Sequence, residues 1–213
     1  MHPADTSPAF NERPAPLKPV GASGSSGRQT APRFPFFTFR SSAPRPPLDP
    51  LTQATVTVCW VVAANKPLYP LYVWWLVGSG TVASLATMLT MPLFAAIALL
   101  ARRFPFAARL ALPLIGTLDT LFETKLFGAA SGTALFLAAC AMLAALGFRW
   151  TEKWWQRASA ILIFLAYLAV RGGLGTPLHV WNADELASLF EINAFAVACL
   201  MAFIALRYAG VKR

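Results

Sequence analysis

The 213-residue chain is 57% hydrophobic and only 13% charged, with a mean hydropathy of +0.55. Soluble domains carry roughly 25% charged residues, so this composition excludes an ordinary soluble protein and predicts that the bilayer is the solvent. The net charge of +9 does not indicate a nucleic-acid partner, because the basic residues lie between apolar runs rather than along one stripe with exposed aromatic residues. Membrane topology explains their positions better.

Residues 1–50 differ in composition from the rest of the chain. They contain 11 of the 17 prolines, many serines and no apolar period, so they cannot bury enough surface to offset the entropy of ordering. We predict a disordered, basic cytoplasmic tail, followed by a transmembrane helical domain at 51–213. The tail is not expected to be a signal peptide, because no apolar core of about 7–15 residues precedes Leu51.

The domain at 51–213 is predicted to be all-α, a polytopic membrane helix bundle of about six transmembrane helices. The apolar segments occupy 54–76, 80–101, 107–122, 133–148, 158–170 and 192–206. The second segment is the clearest, because its 22 residues at 1.5 Å each cover about 33 Å, enough for a hydrocarbon core of roughly 30 Å. Pro92 is expected to kink it.

The first apolar segment is interrupted in its middle by the stretch Asn-Lys-Pro-Leu-Tyr-Pro at 65–70. Proline removes a backbone donor, and in lipid the freed carbonyls need other partners. We therefore predict a broken or kinked span over 54–76. An alternative assigns 54–64 to an interfacial helix and 71–101 to one long tilted span.

The three cysteines each lie inside a predicted span, at Cys59, Cys140 and Cys199. None of them has a partner at the spacing of a metal site. We interpret all three as small buried hydrophobic residues rather than as disulfide or redox groups.

Basic residues are distributed unevenly among the connecting segments. With six spans, the tail, the loops at 102–109 and 149–157 and the C-terminus share one side and hold 15 of the 18 lysines and arginines. The positive-inside rule then places both termini in the cytoplasm, and we expect the chain to lie in a bacterial inner membrane. A five-span alternative would put the basic tail outside.

The segment 119–132 is a polar connector between the third and fourth spans. Asp119 and Glu123 are four residues apart and share one helical face. Ionisable groups this close to hydrocarbon are energetically costly unless they form ion pairs or serve a function such as ion binding. Asp119 and Glu123 are therefore a candidate cation site or proton relay. The alternative is a solvated hairpin tip in which Glu123 pairs loosely with Lys125.

Small residues in the same connector, Gly128, Ser131 and Gly132, are predicted to form the structural turn of this hairpin. Glycine adopts positive φ without the steric cost that other residues meet. The glycines are therefore expected to matter for the turn even where the acids have no ligand.

Two other side chains on the same predicted side are candidate ligand contacts. Arg171 would attract an anion or, alternatively, extend to the lipid headgroups. His179 with Asp184 and Glu185 resembles half of a metal site, but a single histidine on a loop predicts no metal. Because there is no phosphate-binding glycine loop, nucleophile elbow or histidine pair of zinc-hydrolase type, we predict no catalytic residue and no cofactor.

At 122–136 the chain has the pattern Phe-x4-Phe-Gly-x2-Ser-Gly-x3-Phe. This pattern, placed between the third and fourth of six spans, resembles the membrane modules at the N-terminus of bacterial adenylate cyclases and related signalling proteins. In those proteins a cytoplasmic catalytic domain follows the module, whereas this chain ends at Arg213. The resemblance therefore implies a free-standing sensor-like module that acts through a partner, and no cyclase metal-binding acid carries over.

These observations lead to one expected function and one main alternative. We expect a membrane protein without intrinsic catalysis, a sensory or scaffolding module that engages a small ligand, a lipid, a cytoplasmic signalling protein or a second copy of itself. The alternative is a small transporter or channel subunit, with the broken first span, Lys66, Asp119 and Glu123 near its pathway. A membrane-embedded enzyme ranks third.

Overall fold

The computed structural model describes residues 47–211, so all but the last four residues of the predicted tail lie outside the described part of the chain. The described residues form helices and no strand, which confirms the all-α prediction. The α-helices are α1 (Pro50–Asn65), α2 (Tyr69–Tyr72), α3 (Thr81–Leu85), α4 (Met91–Leu100), α5 (Pro105–Phe127), α6 (Phe136–Leu146), α7 (Lys153–Gly172) and α8 (Ala183–Tyr208). Shorter π or 3₁₀ segments lie at Val73–Val77, Ala86–Thr90, Ala129–Ser131, Thr133–Leu135 and Trp150–Glu152.

Helix α1 has clear start and stop signals. It begins at Pro50, directly after Asp49, whose carboxylate accepts a hydrogen bond from the Thr52 amide at 3.1 Å. It ends at Asn65, because Pro67 lacks the N–H that the next helical turn needs. The predicted break in the first apolar segment is therefore confirmed.

The chain then continues through α2 and the π segment Val73–Val77 to a sharp turn. Gly78 and Gly80 both adopt positive φ, at 81° and 65°. Residues other than glycine meet a steric penalty in this conformation. A right-handed helix has negative φ throughout, so the alternative of one long tilted span over 71–101 is wrong as an uninterrupted helix.

The second apolar segment is irregular just before Pro92. Its middle part, Ala86–Thr90, is a 3₁₀ segment, and Pro92 lies in the first turn of α4. The Thr87 hydroxyl donates to the Ser84 carbonyl at 2.8 Å, and the Thr90 hydroxyl lies 3.1 Å from the Thr87 carbonyl. Thr87 thus satisfies a backbone acceptor that a regular α-helix would have used.

Two helical stretches are long and apolar enough to cross a membrane, namely Thr81–Leu100 and Ala183–Tyr208. A third is counted if Thr133–Leu146 and Trp150–Gly172, bent by 116° at their junction, form one broken span. The described residues therefore suggest a membrane protein with two or three candidate spans, fewer than the six predicted. Helix α1 is short, at 16 residues, and α5 contains charged side chains in both halves.

Helix α5 is central to the packing. It contacts α1, α4, α6 and α7, while α6 also contacts α7 and α8. The main core includes Val58, Phe94 and Leu112 from α1, α4 and α5. A second apolar cluster, with Phe127 and Trp181 among its members, lies at the end of α5.

The cysteine prediction is correct for two of the three residues. Cys59 and Cys140 are buried, whereas Cys199 is exposed on α8. Cys140 packs against Gly116 of α5, where an added Cβ would lie 3.0 Å from the sulfur. Phe195, one turn before Cys199, is 74% exposed, so this face of α8 is apolar and uncovered, as contact with lipid requires.

Helix α8 begins earlier than predicted, at Ala183 rather than at 192. The side chain of Asn182 accepts a hydrogen bond from the Glu185 amide, and the Glu185 carboxylate accepts one from the Asn182 amide, both at 2.8 Å. This reciprocal capping box adds the polar stretch before 192 to the helix.

Candidate functional site

Lys66, Asp119 and Glu123 meet inside the helical domain, and we call them the charge cluster. The Lys66 Nζ lies 2.7 and 2.6 Å from the two carboxylate oxygens of Asp119 and 2.6 Å from Oε1 of Glu123. The three side chains are only 8%, 9% and 12% exposed. One ammonium group therefore holds two largely buried carboxylates.

Local sequence explains this arrangement. Asp119 and Glu123 are one turn apart on α5, so both face the same direction, as predicted. Lys66 is the first residue after α1, and Pro67 prevents the helix from continuing past it. Because α5 runs on to Phe127, the two acids lie within a helix and are packed, and the interpretation as a solvated hairpin tip is wrong for both.

Two neighbours complete the surroundings of the cluster. The Thr90 hydroxyl, at the end of the 3₁₀ segment, donates to Oδ1 of Asp119 at 2.7 Å. The Lys66 Nζ lies 5.9 Å from the centre of the Phe94 ring, within the range of a cation–π contact. Asp119 therefore has partners at both oxygens, whereas the hydrogen bond to Glu123 from the described residues involves Oε1 alone.

The cluster is electrostatically unbalanced. One ammonium and two carboxylates carry a formal charge of −1 when all three groups are ionised. An uncompensated charge in a buried site costs several kcal/mol. A proton on one carboxylate, or a bound monovalent cation, would remove it. The arrangement thus has the chemistry of a small-ion site.

A second polar connection joins α2, α8 and the turn after α5. Tyr69 donates to Oδ1 of Asn193 at 3.2 Å, and the Asn193 amide group donates to the Ser131 carbonyl at 2.8 Å. Asn193 is fully buried. The Ser131 hydroxyl also lies 3.1 Å from that of Thr133, which donates to Thr124 at 3.1 Å. This network fixes the turn against the helices on either side.

Two glycines in this turn adopt a backbone conformation that favours glycine. Gly128 and Gly132 have φ values of 87° and 79°. A Cβ on Gly132 would lie 2.9 Å from Cδ2 of Phe190, so both the backbone and the packing require glycine there. The Gly128 amide donates to the Thr124 carbonyl at 2.8 Å and ends α5.

Lys125 does not pair with Glu123, so that prediction is wrong. Its ammonium instead donates to the carbonyls of Leu174 and Thr176, at 2.8 and 2.7 Å. Residues two positions apart on a helix do not face each other. Lys125 therefore fastens the loop between α7 and α8 to α5.

The other predicted contacts lie away from the charge cluster. His179 packs edge-on against Trp181, with ring centres 4.5 Å apart, and its amide donates to the Leu126 carbonyl at 3.3 Å. Arg171 is exposed at the end of α7. Within the described part of the chain, no three His, Cys, Asp or Glu side chains are grouped so that they could hold a metal ion.

A second buried charge cluster, near the start of α5, was not predicted. Arg109, with a side chain 2% exposed, donates to the Thr52 hydroxyl at 2.9 Å and to Glu152, and lies 3.6 Å from Asp49. Arg149 lies 3.4 Å from the same Asp49 carboxylate. Burial raises the pKa of Asp49, but the hydrogen bonds from Thr52 and the two arginines together lower the pKa below its ordinary value. The sequence shows that Asp49 and Pro50 can begin a helix, but it does not show that Arg109 and Arg149 lie near Asp49.

Comparison with known proteins adds no assignment. No family model, curated protein or solved structure matches the chain. The resemblance to the membrane modules of adenylate cyclases therefore stays a prediction, and the candidate site is defined by its own geometry.

Proposed function

We propose that the chain is an integral protein of a bacterial inner membrane, with six crossings and both termini in the cytoplasm. Helical stretches of the described chain coincide with all six predicted apolar segments. Two of these stretches have the length and composition of a span, and two more do so only together, as one bent pair. Lys66 pairs with Asp119 and Glu123, and Arg109 pairs with Glu152. This pairing lowers the cost of placing α5 in a membrane.

Fusions to alkaline phosphatase test this topology, because the enzyme is active only outside the cytoplasm. A fusion after Ser131 is expected to be active, and one after Thr151 inactive. The second fusion is the more demanding, because Thr133–Leu146 and Trp150–Gly172 form a single broken span in the three-span alternative. Activity after Thr151, or inactivity after Ser131, would contradict six crossings.

We further propose that this domain is a sensory or scaffolding module without intrinsic catalysis or cofactor. Its ligand is a proton or a small monovalent cation, taken up at the charge cluster. The observation that carries the proposal is the single buried ammonium of Lys66 shared between two buried carboxylates. Ionisable residues at membrane depth are rare and commonly mark ion pathways or proton relays.

The position of Lys66 links ion uptake to helix geometry. Lys66 lies at the break between α1 and α2, and its bonds to Asp119 and Glu123 hold this break against α5. A proton or cation at Glu123 weakens one of these bonds and leaves Lys66 with Asp119 alone. The orientation of α1 relative to α5 then shifts, and a cytoplasmic signalling protein or a second copy of the chain senses the shift.

Hydrogen exchange of the purified chain in lipid nanodiscs tests this coupling. Titration with protons or sodium is expected to change the exchange of amides at 66–78 in the unmodified chain. The change should be absent in Glu123→Gln and retained in the control Glu191→Gln, whose carboxyl is exposed on α8. An unmodified chain that does not respond, or a Glu123→Gln variant that responds normally, would contradict the proposal.

A small transporter or channel subunit is the second candidate. One observation favours it, since a helix broken beside charged groups at membrane depth is the arrangement in which transporters bind ions. Two cavities, of about 570 and 260 Å³, lie near the end of α5, and neither is lined by the charge cluster.

Solute flux into reconstituted vesicles distinguishes the sensory module from the transporter. Flux that Asp119→Asn abolishes would overturn the sensory proposal, whereas co-purification of a signalling protein without flux would support it.

A further inference from the structure

We propose that the turn between α4 and α5, together with the start of α7, binds the phosphate headgroup of an anionic phospholipid. Four exposed cations lie in these two segments, Arg102 and Arg103 in the turn and Lys153 and Arg157 on α7. This inference depends on membrane insertion but not on the charge cluster. The lipid site and the ion site can therefore be refuted independently of each other.

An aromatic contact brings the two segments together. The rings of Phe106 on α5 and Trp155 on α7 have centres 5.8 Å apart and an interplanar angle of 66°. Phe106 is three residues after Arg103, and Trp155 is two residues before Arg157. The contact therefore holds the two cation-bearing segments side by side, and we refer to their exposed cations together as the basic surface.

Two of the three arginines on this surface lie over exposed aromatic rings. The Arg103 guanidinium is 5.5 Å from the centre of the Phe104 ring, and that of Arg157 is 4.9 Å from the centre of the Trp154 ring. Phe104 and Trp154 are 51% and 68% exposed. Tryptophan is enriched at the headgroup level of membranes, so Trp154 would hold Arg157 at the depth of the lipid phosphates.

The charge of this surface is not neutralised by the described part of the chain. None of the ion pairs there involves any of the four cations. Glu152, the acid directly before Lys153, is turned inward to Arg109 and is 16% exposed in its side chain. A headgroup with a negative charge complements this surface, and one without net charge does not.

Apolar surface begins directly beside the cations. Leu99 and Leu100, just before the turn, are 69% and 53% exposed, and Ile161 and Phe164, one and two turns after Arg157, are 61% and 59% exposed. A ligand that contacts both the cations and this apolar surface carries a phosphate at one end and hydrocarbon at the other. This requirement favours a phospholipid over a soluble phosphate or a nucleic acid.

Quenching of tryptophan fluorescence by brominated lipids tests the proposal. The full chain is placed in phosphatidylcholine vesicles that contain either brominated phosphatidylglycerol or brominated phosphatidylcholine. We expect stronger quenching by the anionic lipid, and an affinity for it about fivefold lower in Arg157→Gln, since each basic residue near the surface contributes ~1 kcal/mol. Arg157→Lys should keep most of the preference, and Arg103→Gln tests the other segment independently.

Arg171→Gln is the matched control, because Arg171 is an exposed arginine at the other end of the same helix. It should lower the lipid preference by less than Arg157→Gln does, because no other Lys or Arg lies between 158 and 182. Equal quenching by the two lipids in the unmodified chain would overturn the proposal. So would an equal loss in Arg171→Gln, or displacement of the anionic lipid by inorganic phosphate, which would assign the site to a soluble anion.

Discussion

Replacing Lys66 with methionine should be the most destabilising single change at the charge cluster. The ammonium makes three contacts of 2.6–2.7 Å with two carboxylates whose side chains are 9% and 12% exposed. Methionine preserves most of the length of the side chain but leaves both acids without their cation. Removing one partner of a buried ion pair costs about 3–5 kcal/mol, and we expect the lower end because protonation of the carboxylates relieves part of the repulsion.

Glu123→Gln should behave differently. It retains the Lys66–Asp119 pair and removes the excess negative charge, so we expect a change of less than about 1 kcal/mol in the free energy of unfolding. Reversible unfolding in mixtures of mild detergent and dodecyl sulfate measures both variants.

Lys125→Met is the control for loss of an ammonium group. Its two hydrogen bonds go to backbone carbonyls of a partly exposed loop, so its expected cost is about 1–2 kcal/mol. The reasoning fails if Lys66→Met costs no more than Lys125→Met. It also fails if Glu123→Gln is as destabilising as Lys66→Met.

Three further predictions concern the remainder of the site. Gly132→Ala should lower the free energy of unfolding by about 1–2 kcal/mol or more, because the backbone is left-handed and the new Cβ would meet Phe190; unfolding that matches the parent chain would contradict this. Asn193→Leu should cost about 1–3 kcal/mol in the same assay, since its buried hydrogen-bond partners lose their bonds, and a neutral effect would refute a structural role. The pKa of Asp49 is lowered in the folded chain, so its contribution to stability is present above the ordinary carboxyl pKa and is lost as the pH falls through the lower, folded-state value. Asp49→Asn should remove this part of the acid dependence of thermal unfolding, and an unchanged profile would contradict the assignment.

The features that were predictable depend on local rules. Composition was enough to predict a helical membrane protein. The break after α1 follows from Pro67, which has no backbone N–H donor. Gly128 and Gly132 were correctly assigned to a turn because few other residues tolerate positive φ. Each of these features is decided by a few neighbouring residues.

The composition of the charge cluster was harder to predict because its partners are distant in the chain. Lys66 and Asp119 are 53 positions apart, and the sequence favoured the nearer Lys125 as the partner of Glu123. Helix geometry excludes that pair once α5 is known to continue past Glu123. The polar face of a helix looks the same in sequence whether it meets water or a lysine of another helix.

The number of crossings could not be obtained from hydropathy alone for the same reason. Charged residues lower the hydropathy of α5, yet Arg109 and Asp119 are buried against partners from other segments. Whether such a helix crosses a membrane depends on pairing, which local composition does not reveal.

Infrared difference spectroscopy of the chain in nanodiscs tests the central claim most directly, because it detects the carbonyl stretch of a protonated, buried carboxyl group. Between alkaline and acidic samples, we predict a band from the charge cluster that disappears in Glu123→Gln, persists in Glu191→Gln and weakens when sodium competes for the site. A spectrum of the unmodified chain without this band, or a band that is unchanged in Glu123→Gln, would contradict the account.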